Sequence, residues 1–217
     1  MKSLKLCIDK NFPIKKLIVQ RQFKSSSRQY ILSSFIFSRI LFCNLIEISI
    51  EYNKITWNEY LLLTNSERVE KLALEGVDVT DTKNNQVPVD MLMSRIPLAY
   101  EIDIQPCYFA PKTNLNLLLL NRKTTISKLN FVNIYGNFDS ESFYSFLKNV
   151  LTPTAETLIH FRYNEINNQI NENFIEELKE LSINDQWYKT FHMDYPRNLN
   201  APKPESMETL MSFINSN

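Results

Sequence analysis

Along this chain a short apolar-x-apolar signal returns at a nearly constant interval: Leu17/Val19, Ile48/Ile50, Leu72/Leu74, Ile102/Ile104, Leu129/Phe131, Ile159/Phe161 and Phe191/Met193. The first members are separated by 31, 24, 30, 27, 30 and 32 residues. Alternation with a period of two marks a half-buried strand, and most of these signals are followed by a stretch with helical spacing. A repeat in this range is the mark of a solenoid, in which each unit covers the open apolar face of the one before it. The expected fold is therefore α/β, with a curved parallel sheet on the concave face and helices on the convex face. Parallel strands need a crossover of about a dozen residues, and the spacing allows one. An ordinary α/β domain with evenly spaced units, whose sheet need not follow chain order, is the competing arrangement.

The second unit shows the pattern well. Leu45–Glu51 alternates apolar and polar, and Thr56-Trp57-Asn58-Glu59 matches a capping box that opens a helix. Trp57, Tyr60 and Leu61 then fall on one face. The third unit runs from Val69 through Leu74 to a turn cluster at Asp78–Asn85 and a helix at Val89, Leu92 and Ile96. The fourth places Leu115, Leu118 and Leu119 on a helix. Leu117–Leu120 reads as buried helix. In the fifth, Phe143, Phe146, Leu147 and Val150 form a full apolar stripe. The sixth carries Phe174, Leu178 and Leu181, and the seventh Met207, Leu210, Met211 and Ile214. Residues 45–217 thus read as about six strand–helix repeats. Residues 1–44 read as a basic N-terminal cap or first repeat, with a strand near 16–20 and a helix near 28–43.

Composition narrows the chemistry. The chain has 217 residues and two glycines, Gly76 and Gly136, so phosphate-cradling loops built on clustered glycines are excluded. Net charge is zero, but residues 1–44 hold nine Lys or Arg against Asp9. Such a block suits a polyanion, an acidic partner or the acidic remainder of the same molecule. Cys7, Cys43 and Cys107 form no CxxC and no disulfide framework, which suits a reducing cytoplasmic or nuclear compartment. The apolar stretch Tyr30–Leu45 is interrupted by Arg39, a costly residue at mid-bilayer. It reads as a buried helix running into a strand, with no membrane contact.

The spacing Val69-x-x-Leu72-x-Leu74 and Ile126-x-x-Leu129-x-Phe131 resembles the core of long, helix-containing leucine-rich repeats. That family carries Asn three residues further on, where this chain has Val77 and Ile134, so the turn must close in another way. The texture of residues 45–215 is similar to the C-terminal regions of nematode F-box proteins, although no F-box is found in the first 44 residues. The resemblance implies a leucine-rich-repeat-like solenoid that recruits a substrate to an SCF-type ubiquitin ligase, with the ligase adaptor as a further partner.

No catalytic residue, metal site or cofactor is expected. His160 and His192 lie between the core positions of their strands, with Arg162 and Asp194 beside them, and Ser/His/Asp or Cys/His signatures are missing. The outward strand residues form the candidate binding face: Glu51, Glu75, Asp103, Gln105, Asn130, His160, Arg162 and His192. Glu51, Glu75 and Asp103 predict a protein partner of basic character. Two other functions fit the same chain: an enzyme that uses a His160/His192 edge, or a polyanion binder that uses the basic N-terminal segment.

Overall fold

A computed structural model describes residues 17–26, 40–161 and 191–194. The main sheet runs through β1 (Leu17–Ser26), β2 (Ile40–Glu51), β4 (Lys71–Glu75), β6 (Glu101–Gln105), β8 (Ile126–Gly136), β9 (Leu151–Phe161) and β10 (Phe191–Asp194). That spatial order is also the order along the chain, and every neighbouring pair is parallel. A short strand, β7 (Cys107–Phe109), pairs with β8, while β3 (Lys54–Thr56) and β5 (Asp78–Thr80) make a second small parallel sheet. The architecture is mixed α/β, with a curled parallel sheet and few helices.

Register turns the repeated sequence signal into a core. Phe23, Ile48, Leu72, Ile102 and Leu129 stand side by side on successive strands, and Ile50, Leu74, Ile104, Phe131 and Ile159 form the next row. All ten are buried. Among these ten, β2, β4, β6 and β8 contribute two side chains each and β1 and β9 one, too few to shield one another, so the neighbouring strands must cover them. Full burial of an aliphatic or aromatic side chain of this size is worth about 1.5–3 kcal/mol.

Four helices lie among the described residues: α1 (Trp57–Thr64), α2 (Val89–Ser94), α3 (Thr113–Leu118) and α4 (Ser140–Val150). The capping box forms as its sequence requires. Glu59 N–H donates to Thr56 Oγ1 at 3.3 Å, and Thr56 N–H donates to the Glu59 carboxylate at 2.6 Å. Tyr60 is fully buried and its hydroxyl donates to the Leu92 carbonyl at 3.0 Å, joining α1 to α2. Asp90, also buried, accepts from the Thr113 hydroxyl and the Asn116 amide, each at 2.7 Å, which joins α2 to α3. On α4 the expected stripe of Phe143, Phe146, Leu147 and Val150 is buried.

Several expectations are corrected. The helix near 28–43 does not reach its expected end, because residues 40–43 belong to β2; the rest of it lies outside the described residues, as do the helices of the sixth and seventh units. Asp78 is the first residue of a short strand, and the turn proper is Asp81–Asn85, where Asp81 accepts from the N–H groups of Lys83 and Asn85. The run Leu117–Leu120 is not uniformly buried. Leu117 packs inward, whereas Leu115 is 57% and Leu119 73% exposed. With six residues, α3 makes fewer than two turns, so it cannot carry all its leucines to one side.

The turns after the strands close without a repeated asparagine. Val77 N–H donates to the Gln105 carbonyl at 3.0 Å, and Asn137 N–H to that of Phe109 at 2.7 Å. The Asn53 amide donates to the Glu51 carbonyl at 2.9 Å, and the Cys107 thiol to that of Ile104 at 3.0 Å. Gly136 is required at φ +93°, where a Cβ would stand 2.3 Å from the Phe109 carbonyl oxygen.

Packing of this kind makes two substitutions behave oppositely. Phe131→Ala is expected to cost about 3–5 kcal/mol through the cavity it leaves, whereas Leu119→Ala should stay within about 0.5 kcal/mol. Denaturant unfolding of the two variants beside the unsubstituted chain measures both.

Candidate functional site

The solvent side of the sheet is built by the residues that alternate with the core rows. Burial along β4 and β6 switches at every residue, so Lys71, Ala73 and Glu75, and likewise Glu101, Asp103 and Gln105, face away from the interior. Parallel register aligns them in rows. Glu51 stands beside Glu75, Glu75 beside Gln105, and Asp103 between Ala73 and Asn130. The candidate residues Glu51, Glu75, Asp103, Gln105 and Asn130 are therefore brought onto one face of four adjoining strands.

This face holds two unlike electrostatic zones. One step toward the strand starts, Gln22, Glu47, Lys71, Glu101, Lys128 and Glu156 occupy one register row. From Glu47 onward its charges alternate in sign. Gln22 donates to Glu47 at 2.5 Å, Lys71 meets Glu101 at 2.5 Å, and Lys128 meets Glu156 at 3.9 Å. Lys71 also sits over the Tyr100 ring, 5.4 Å from its centroid, and the Glu101 carboxylate raises its pKa. Opposite charges at cross-strand positions stabilise a sheet, whereas like charges directly opposite destabilise it. With three carboxylates against two ammonium groups, this row comes within one charge of balance.

The second zone does not. Glu51 and Glu75 are like charges directly opposite, and among the described residues no cation lies within ion-pair distance of Glu51, Glu75 or Asp103. Glu75 accepts from the Tyr52 hydroxyl at 3.0 Å, and Asp103 accepts from the Asn130 amide at 2.8 Å. Tyr52 is half exposed. Partial burial raises the Asp103 carboxyl above its ordinary value, an effect that Glu75 reinforces and that Asn130 and Lys128 oppose.

The register sets the two histidines diagonally across β9 and β10. The Asn133 N–H donates to His160 Nδ1 at 3.4 Å, and the register partner of His160 is Asp194. His192 is the partner of Leu158, two residues away along the strand. A register shift between Phe131 and Ile134, with Asn133 at φ +55°, also breaks the row at Val132. Arg162 lies outside the described residues. Among the described residues no group of three or more His, Cys, Asp or Glu is arranged to hold a metal ion. Burial pushes the Cys43 thiol up to about 11 and raises the Cys107 thiol as well, so neither is poised as a thiolate nucleophile. No helix among the described residues is long and apolar enough to cross a membrane.

The alternating row was missed because it lies just outside the apolar-x-apolar signal. Its trace is present in the chain: Glu47, Lys71, Glu101, Lys128 and Glu156 each immediately precede a position of the first core row, and their signs alternate. No protein-family model, curated protein or solved structure matches this chain.

A raised carboxyl pKa means that the folded state holds its proton more tightly than the unfolded state does. The stability from that proton is fully present below the ordinary value of 3.8 and is lost as pH rises through the raised one. Asp103→Asn should therefore be more stable than the unsubstituted chain at neutral pH, and the difference should shrink as pH falls below the ordinary carboxylate range. Urea unfolding at a series of pH values reads this directly.

Proposed function

We propose that this chain is a protein-interaction module: a leucine-rich-repeat-like solenoid whose concave sheet face docks a partner of basic character. The zone at Glu51, Glu75 and Asp103 carries this reading. It presents three acids on three adjoining strands, next to a row whose charges are already matched. A protein surface or peptide rich in Lys and Arg would supply the missing charge. Such complementarity acts mainly on encounter rate and partner choice. Tyr52, at the rim, offers an aromatic surface of the kind enriched at interfaces.

The repeat assignment has support in the residues that follow the strands. Leu45-x-x-Ile48-x-Ile50-x-x-Asn53-x-Ile55 and Ala99-x-x-Ile102-x-Ile104-x-x-Cys107-x-Phe109 both follow the leucine-rich spacing, with Asn in one case and Cys in the other at its polar position. Asn53 and Cys107 are both buried and bond a carbonyl of their own unit. Val77 and Ile134 stand at the same place in their units and keep the burial without the side-chain bond. Strands laid in chain order accord with a solenoid, in which each unit contacts its neighbours alone.

Within this reading, the F-box-like texture makes the partner a substrate of a ubiquitin ligase, with the ligase adaptor as a second contact.

Affinity capture on the immobilised chain, with mass spectrometry scored for ubiquitin-ligase adaptors, identifies the partner. The triple variant E51K/E75K/D103K should weaken its binding on the order of tenfold or more, mostly through the association rate. The exchange K71E/E101K, which leaves the net charge of the neighbouring row unchanged, should leave binding unchanged. Undiminished binding by the triple variant overturns the docking surface, and capture without any adaptor discards the ligase context.

A further inference from the structure

Among the described residues four large hydrophobic side chains are exposed. Tyr52 stands beside the acidic zone of the sheet, whereas Met91, Leu115 and Leu119 gather on α2 and α3. Leu115 and Leu119 are four residues apart, so they form one ridge on the outer side of α3. Asn116, exposed between them, reaches the Asp90 carboxylate at 2.7 Å, which sets the exposed side of α2, with Met91 and Ser94, next to this ridge. No charged residue occurs from 113 to 121. Of the cations that bound this run, Arg122 turns inward to the Ala99 carbonyl and Lys112 stays at the exposed edge. Leucines held in water gain nothing within one copy, and clustered exposed apolar side chains mark a surface that meets something else.

The charge pattern selects the occupant. A strongly basic or acidic partner finds no counter-charge on this ridge. The same ridge on a second copy is equally uncharged, and the chain has a formal net charge of zero, so two copies approach without net repulsion. No other described surface exposes a comparable group of large apolar side chains. Within this chain the patch is therefore matched by itself alone. A patch that meets itself gives a two-fold pair, which closes and does not extend into a filament. With the two ridges antiparallel, Leu115 of one copy lies beside Leu119 of the other.

We propose that the outer faces of α2 and α3 hold a second copy of this chain in a two-fold dimer, with Met91, Leu115 and Leu119 at its centre. Three side chains per copy make a smaller contact than the roughly 800 Å² per partner of tight complexes. The dimer is accordingly weak, with a dissociation constant on the order of 10–100 μM. The inference is independent of the sheet face and its partner.

Sedimentation equilibrium of the full chain, over concentrations that span this range, tests it. A monomer–dimer equilibrium without larger species is expected. L115E/L119E and L115K/L119K alter exposed positions only, so each should fold as the parent does and stay monomeric throughout. Mixed one to one, the two variants should dimerise again, because carboxylates then meet ammonium groups across the two-fold. That recovery separates loss of the contact from loss of the fold. A parent that stays monomeric, which leaves the face to another protein or a lipid surface, would overturn the proposal. Growth beyond the dimer, dimers of either variant alone, or a mixture that stays monomeric would do the same.

Discussion

Parallel pairing in chain order is the constraint on which everything else in this molecule rests. Each unit brings a strand with two inward apolar side chains and a short helical or irregular return, and no unit can bury those side chains unaided. Ile48 is dry because Leu72 lies next to it, and Leu72 because Ile102 does. The ladder of backbone hydrogen bonds and the apolar rows enforce the same register. A slip of one residue would turn every inward side chain to water, so the two kinds of interaction cannot be satisfied separately.

The same register decides the electrostatics of the outer face. Strands about 4.8 Å apart set whatever precedes one core residue beside whatever precedes the next. Glu47, Lys71, Glu101, Lys128 and Glu156 become a row of alternating sign, and Glu51 and Glu75 become neighbours of like sign. A matched row helps to hold the sheet together. An unmatched one weakens it slightly, which is a common mark of a surface that meets something else. The contrast between adjacent rows on one face carries more weight than the presence of acids would.

The short helices are tied to one another by a few polar joints. Tyr60 reaches from α1 to the Leu92 carbonyl, and Asp90 gathers Thr113 and Asn116 from α3. Each joint links one unit to the next, as the apolar rows do. Where α3 ends after six residues, Arg122 is drawn inward to bond the Ala99 carbonyl of the preceding unit.

Much of this was legible from residue order alone. The seven strand signals, the capping box at Thr56 and the α4 stripe all appear where local periodicity places them, because each depends on residues within a few positions of one another. The outward placement of Glu51, Glu75 and Asp103 followed from the same alternation. The extension of β2 back to Ile40, the short α3 with its exposed leucines and the offset of His192 from His160 were not legible. Nor was the burial of Arg122. These depend on how far one strand slides past the next and on what a neighbouring unit leaves open. The chain by itself determined which side chains face inward, since alternation is a local property. The tertiary structure alone decided which of them meet, because register is set by contacts between residues 24 to 32 positions apart.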